Sequence, residues 1–395
     1  MKPVIAHALG EAATHGMDAG TAAPDWAPLS IPDIGALAPH FPELSAPERL
    51  LWHSPRPFSS AARVQTAAGE WFVKRHDARV RDVRGLLEEH GFIAHLGARG
   101  VPVPAVRRSA AGATALALGS WTYEVHALAP GVDAYRDAHS WTPARSTAHA
   151  RALGRALAQL HLAAQGYEAP ARAVAPLVGG FDIVGSADLP RALDAYLEQR
   201  PAVTRFLDGA ARDRMLAVLG PWHATLRPLL PELGTLWVHN DWHASNLFWT
   251  DRSTEAQVRA IIDFGLCNRG CAVADLATAL ERNTIAWLDQ PSEGADGGNE
   301  VARDIGRAPL ALALLEGYAS IRALNVAERH ALPALMALAH VEFALSEVDY
   351  FHGVVANEDN ARLAYPGFLL GHVRWFEGRH GREYLAALRG AIAAR

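Results

Sequence analysis

The chain has 395 residues, with 37 Lys and Arg against 42 Asp and Glu for a formal net charge of −5, and half of its residues are hydrophobic. Disorder along the whole chain is excluded, because the apolar material is ample to offset chain entropy. The charges of both signs are interspersed, which excludes the basic field that a nucleic-acid binder carries. Cys267 and Cys271 stand alone, so a disulfide framework is excluded and a lone C-x-x-x-C makes a poor zinc site; both read as buried thiols.

No uncharged apolar stretch approaches the roughly 18 residues that cross a bilayer. His7, Gly10 and Glu11 interrupt any signal-peptide core. The expectation is a cytoplasmic protein with no membrane partner. At roughly 100–200 residues per domain, the length predicts two domains or one divided by a cleft.

Residues 1–45 are rich in Ala, Pro and Gly without sustained periodicity and read as a loosely ordered arm. Residues 62–66 and 70–74 read as two strands joined by Ala67-Ala68-Gly69. Val83, Leu86, Leu87, Phe92, Ile93 and Leu96 then recur at helical spacing until Gly100, and the prolines of Val101-Pro102-Val103-Pro104 impose extended chain. More β-like sequence runs over 114–125, ahead of the break at Pro130-Gly131. Beyond it, helices are predicted over 148–165 and within 202–230, with a loop between them at 171–186. Short strands follow at 236–238, 246–249 and 258–262, and helices dominate from Leu276, apart from the acidic, glycine-rich loop 289–299.

The chemistry is concentrated in His239-Asn240-Asp241-Trp242-His243-Ala244-Ser245-Asn246, followed one strand later by Asp263-Phe264-Gly265. Two carboxylates and a carboxamide thus stand at the ends of short strands, as phosphoryl transfer requires. One carboxylate orients the acceptor hydroxyl and takes its proton; the other, with the amide, holds Mg²⁺ on the phosphates. The spacing matches the His-x-Asp-x-x-x-x-Asn and Asp-Phe-Gly signatures of kinases. Lys74, ending the second strand, is placed to reach the α- and β-phosphates, and Glu89 on the following helix is placed to pair with it. Glu88 is a close rival to Glu89.

With these residues the chain resembles the aminoglycoside phosphotransferase/choline kinase-like superfamily. The resemblance covers about 50–281 and includes Val73-Lys74, the Glu89 helix running into Gly100–Pro104, Leu153-Gly154-Arg155-Ala156-Leu157-Ala158-Gln159-Leu160-His161, the catalytic segment, and Asp275-Leu276-Ala277. It implies an α+β, protein-kinase-like bilobal fold: a small β-rich N-lobe over 46–128 that binds nucleotide, and a larger, mainly helical C-lobe over 129–395. It implies ATP and Mg²⁺ as cofactors, Asp241 as catalytic base, Asn246 and Asp263 as metal ligands, and Lys74 as a phosphate contact with Glu89 as its partner. Residues 123–128, including Glu124 and His126, would form the inter-lobe hinge at adenine. Asp275 would brace the catalytic loop from a buried position, and His239 reads as structural.

The sequence departs from the pattern in its nucleotide-covering turn, Ser54-Pro55-Arg56-Pro57-Phe58-Ser59-Ser60, which has no glycine; Ser59 and Ser60 are the candidates to cap a phosphate there. The acceptor is expected to be the hydroxyl of a small amino alcohol, amino sugar or amino acid, met by C-terminal helices. Within a helix over 337–350, Glu342, Ser346 and Asp349 share one face, which reads either as a subsite for a cation or as an ordinary solvated face. His340, Tyr350 and Phe351 line the same wall or belong to the core. Two other readings remain open: a Ser/Thr protein kinase of the bacterial stress-response type, and a catalytically silent nucleotide-binding module.

Overall fold

The computed structural model describes residues 14–15, 17, 20–289 and 304–393. Most of the arm's first 19 residues, and 290–299 of the acidic loop, lie outside the described residues. The chain divides into two compact units, one running up to Leu86 together with Val106–Leu128, the other formed by Leu87–Ala105 and Ala129 onward.

The first unit is built on an antiparallel five-stranded sheet. Strands β1 (Thr14–His15) and β2 (Thr21–Ala22) form a separate two-stranded ladder. The main sheet has the order β3 (Pro47–His53), β4 (Ser60–Thr66), β5 (Gly69–Asp77), β7 (Trp121–His126) and β6 (Leu116–Leu118). Its register sets Lys74 opposite Ala61 on one side and Glu124 on the other.

The expected arm is ordered from about residue 30 onward. Helix α1 (Ile31–Leu37) starts at Ser30, which forms a capping box with Asp33 while Pro32 occupies the first turn. The helix then buries Ile34 and Leu37, and the following turn buries Phe41 and Leu44 against Ala62, Val64, Val73 and Val125 of the sheet. A scattered set of apolar residues lacks a periodic signature, yet it closes one face of the sheet.

Helix α2 (Val83–Ala98) departs from the expected N-lobe boundary. From Leu87 onward it belongs to the second unit, because Phe92 packs on Trp237, Phe264 and Tyr167 with ring centroids 5.4, 6.0 and 5.3 Å apart. The expectation of an uninterrupted 46–128 lobe is corrected accordingly.

The second unit is mainly helical: α3 (Thr147–Ala164), α4 (Leu189–Glu198), α5 (Pro201–Phe206), α6 (Ala211–Leu226), α7 (Ala272–Thr284), α8 (Ala308–Ala319), α9 (Val326–Leu338), α10 (Val341–Tyr350), α11 (Glu358–Arg362), α12 (Leu369–Glu377) and α13 (Arg379–Ala393). Helices α3 and α8 cross closely. A Cβ on Gly154 would strike the Leu314 carbonyl and one on Gly317 the Arg151 carbonyl, so the glycine of the Leu153-Gly154-Arg155 run serves packing. The run Val326–Val355 is long and apolar enough to span a bilayer by length and composition, yet 89% of its most apolar window is buried inside the unit.

Two short ladders position the chemistry. Strand β8 (Thr235–Val238) pairs with β11 (Asn268–Cys271), and β9 (Leu247–Trp249) with β10 (Val258–Ile261), all antiparallel. Val238 faces Asn268 and Leu247 faces Ile261. The loops 239–246 and 262–267 therefore leave the ladders from the same ends. The architecture is the α+β, protein-kinase-like one expected, with β11 as a strand the sequence pattern did not announce.

Candidate active site

The loop 239–246 is held from below by one carboxylate. Asp275, fully buried in the first turn of α7, accepts the backbone N–H of His239 at 3.0 Å and of Asn240 at 2.9 Å, and its Oδ2 lies 3.0 Å from Nε2 of His161. Nδ1 of that imidazole meets the Tyr318 hydroxyl at 2.8 Å, which in turn accepts from Arg322. Burial pushes the Asp275 carboxyl up, but the hydrogen bond and charge of His161, the charge of His239 and its amide outweigh burial and hold it below the usual carboxylate range.

His239 ties the two loops together. Its Nδ1 accepts the Asp241 N–H at 3.2 Å and its Nε2 donates to the Ile262 carbonyl at 3.1 Å, immediately before Asp263. Burial lowers its pKa, so the neutral ring is the form that makes both bonds. Asn240 adopts φ 62° and Asp263 φ 59°, left-handed values that cost a non-glycine residue free energy and turn the two side chains out of their strands. The Asn240 amide also donates to the Leu266 carbonyl at 3.2 Å, and a Cβ on Gly179 would collide with both groups.

Asp241 is framed rather than free. Nδ2 of Asn246 donates to its Oδ2 at 2.9 Å and its carbonyl at 3.0 Å, Nε2 of His243 lies 3.5 Å from Oδ1, and Arg282 forms an ion pair with Oδ1. Because both Nδ2 bonds of Asn246 go to Asp241, its Oδ1 is left for a cation. The Ile262 N–H donates to the Asn246 carbonyl at 3.0 Å, which sets Asn246 beside the residue preceding Asp263. An amide oxygen and a carboxylate form an all-oxygen donor set that fits a hard divalent ion keeping water and phosphate as its other ligands.

The first unit places the nucleotide candidates differently from one another. Lys74 lies in the interior of β5 rather than at its end. The Glu124 side chain, 1% exposed, lies 2.9 Å from His76 Nε2 and 2.7 Å from His126 Nε2, so the side chains of Glu124 and His126 are engaged with each other. Ser59 is half-buried in the turn before β4. Ser60 donates its hydroxyl to the Ala27 carbonyl at 2.7 Å, which corrects its expected role as a phosphate cap. In the second unit, Glu88 and Glu89 both face the buried Arg172, at 3.7 and 3.9 Å. Arg172 also donates to the Gly265 and Cys267 carbonyls just past Asp263.

The expected acidic face of 337–350 is an inward one. The helix is broken at Ala339-His340, and α10 carries the three residues into the core. Ser346 returns its hydroxyl to the Phe343 carbonyl, and Asp349 lies 3.8 Å from Arg200, so neither presents itself to an acceptor. Glu342 does. Its Oε1 accepts the N–H groups of Ile183 and Val184 at 2.7 and 3.2 Å, while Oε2 is buried without a hydrogen-bond partner next to Gly180. Burial, with Asp182 nearby and against those backbone bonds, pushes its pKa up to about 7.

Glu342 lines a cavity of about 40 Å³ shared with Gly180, Asn240, Thr278, Arg282 and Phe343. Arg282, stacked on Phe343 at 4.6 Å, connects this cavity to Asp241; burial lowers its pKa to about 10. Arg282 and Asn283 were not singled out from the sequence. The signal was available: Arg282 follows Asp275 by two helical turns, on the same face of the helix. Asn283 braces the loop further, accepting the Ala244 N–H and donating to the Trp242 carbonyl, both at 2.8 Å.

The chain is similar to proteins named as kinases and phosphotransferases. The chain is 28% identical to a homoserine kinase of Acidiphilium cryptum over 285 residues, covering 72% of this chain and 76% of that one. It is 30% identical to the homoserine kinase of Xanthobacter autotrophicus over 289 residues, covering 72% and 75%. The solved structure of a microcompartment-associated aminopropanol kinase superposes with a TM-score of 0.56 at 18% identity, over 86% of this chain and 93% of that one. An aminoglycoside phosphotransferase from Alicyclobacillus acidocaldarius gives 0.53 at 16% identity, over 94% and 98%. These establish the fold. The family model for the phosphotransferase enzyme family matches residues 57–324, more than half of the chain, and the protein belongs to that family.

Proposed function

We propose that the protein transfers the γ-phosphoryl group of Mg·ATP to the hydroxyl of a small hydroxylated amino acid of the homoserine class. The observation that carries this reading is the cavity lined by Asn240, Arg282 and Glu342: it offers the cation that pairs with Asp241, and a buried carboxylate oxygen with no hydrogen-bond partner among the described residues, to one acceptor. A zwitterion complements that pair, with its ammonium at Glu342 Oε2 and its carboxylate toward Arg282. The names of the relatives point to the same acceptor class. The space admits only a few water-sized groups, which favours a small acceptor over a polypeptide.

In this reading Asp241 accepts the acceptor's hydroxyl proton. Its carboxylate is aimed by Asn246 and paired with Arg282. Asn246 Oδ1 and Asp263 would hold Mg²⁺, which when bound neutralises charge on the transferring phosphoryl group.

The test is ATP consumption with homoserine, with an amino alcohol lacking the carboxylate, and with a hydroxy acid lacking the amine. Homoserine is expected to exceed either truncated acceptor in kcat/KM by roughly 10-fold or more, since each loses a charge-assisted bond of about 1.5–3 kcal/mol. Equal turnover of all three would sink the zwitterion reading. Transfer to a generic protein substrate in preference to all three would favour the protein-kinase reading.

A further inference from the structure

Away from the loop that carries Asp241, three helices of the second unit bring their polar side chains into one buried cluster. Glu281 comes from α7, His340 from the break before α10, and His372 from α12. One ligand atom from each lies within 4.8 Å of the others. Oε1 of Glu281 is 3.1 Å from Nδ1 of His372 and 3.9 Å from Nδ1 of His340. These residues are 2–5% exposed, and Glu281 Oε1, both nitrogens of His340 and Nδ1 of His372 have no hydrogen-bond partner among the described residues. Each such group costs about 1–3 kcal/mol if nothing satisfies it.

We propose that Glu281, His340 and His372 form a binding site for a divalent transition-metal ion of the zinc type. In a tetrahedral site with bonds of about 2.0–2.2 Å, neighbouring ligand atoms stand about 3.4 Å apart, and the observed 3.1 and 3.9 Å bracket that spacing. Two imidazoles and one carboxylate suit zinc and its neighbours rather than magnesium, which separates this site from Asn246 and Asp263. The surroundings are those of ligands held in place. Oε2 of Glu347 lies 4.0 Å from the other nitrogen of His340, beyond hydrogen-bond reach but on the side from which a carboxylate would orient a ligating imidazole. Trp287 stacks on His372 with centroids 3.7 Å apart and planes within 9°. A small solvent molecule would complete the coordination. The ion would pin three helices together, including α7, on which Glu281 directly precedes the Arg282 that pairs with Asp241.

The experiment is metal analysis of the full chain, purified without chelator and then equilibrated with substoichiometric Zn²⁺ or Co²⁺. About one ion per chain is expected, with the visible d–d bands of tetrahedral Co²⁺. His372→Ala and Glu281→Gln should each bring the bound ion down at least about tenfold, while Asp263→Ala retains it. Should a variant fail to fold, the Co²⁺ spectrum of the unaltered protein decides by itself: tetrahedral bands with imidazole ligation support the site, and an octahedral aquo spectrum overturns it. Full metal content in both variants, or no retained ion in the unaltered protein, also overturns it.

Discussion

The loop around Asp241 and the wall around Glu342 treat their buried polar groups in opposite ways. Under the loop, Asp275 satisfies two backbone amides and an imidazole, His239 uses both of its nitrogens, and Asn283 bonds the chain on both sides. In the wall, Glu342 Oε2 is buried with no hydrogen-bond partner among the described residues. A saturated network can only hold a shape, whereas an unsaturated one carries a cost that a ligand relieves. In the proposed function, the difference separates the groups that position the chemistry from those that meet a substrate.

The largest expected effect tests the one group that stands between the two regions. Asp241→Asn keeps the shape and the Asn246 contact but cannot take the hydroxyl proton. Turnover should fall by roughly 10²–10⁴, with nucleotide affinity, read by Mg·ATP-dependent thermal shift, nearly unchanged. Full turnover in that variant would remove Asp241 from the role of base.

On the saturated side, Asp275→Ala should cost about 3–5 kcal/mol in urea unfolding, because two amides and an imidazole lose their common acceptor. Its folded pKa lies below the ordinary 3.8, so its contribution is present above that value and disappears as acidification passes through the folded pKa. Unfolding free energies of the two proteins should therefore converge below about pH 3.8. A cost independent of acidity would mean that the brace works by packing alone.

The same contrast explains what the sequence disclosed. The loop was legible because its chemistry is local: Asp241, Asn246 and Asp263 lie at fixed offsets in the loops that join adjoining strands, and Asp275 opens the next helix. The acceptor wall was legible only in part, since Arg282 of α7, Gly180 of a loop and Glu342 of α10 meet through tertiary packing that no spacing encodes. Glu342 was found for a reason that did not hold for its companions. Its helical face is buried, and Ser346 and Asp349 are spent on Phe343 and Arg200. The ordering of 31–44 escaped notice because its apolar residues answer to the sheet's exposed face rather than to a period of their own.

On the unsaturated side the pH dependence has the opposite sign. Glu342 has a folded pKa of about 7 against an ordinary 4.5, so between those values the folded chain keeps a proton that the unfolded chain has released. Stability should decline with rising pH across that window, by about 3 kcal/mol at most, and Glu342→Gln should abolish the slope. An ammonium-bearing acceptor should bind more tightly as the carboxylate ionises. KM for it should fall as pH rises through about 7, whereas in Glu342→Gln it should be flat in pH and roughly 10- to 100-fold higher. An unchanged KM would detach Glu342 from the acceptor.

The smallest effect is expected one helical turn away, and it asks whether shared periodicity means shared function. Ser346 lies on the Glu342 face of α10, fully buried, with its hydroxyl returned to the carbonyl three residues before it. Such a local bond competes with the helix rather than serving a ligand, and Ala removes it without stranding a distant partner. Ser346→Ala should change unfolding free energy by about 1 kcal/mol or less and leave KM for acceptor and nucleotide alike. A rise of acceptor KM comparable to that of Glu342→Gln would show that the hydroxyl leaves its helix bond when substrate arrives. The line between saturated and unsaturated groups would then move by one residue, and the acceptor wall would extend along α10 toward Asp349.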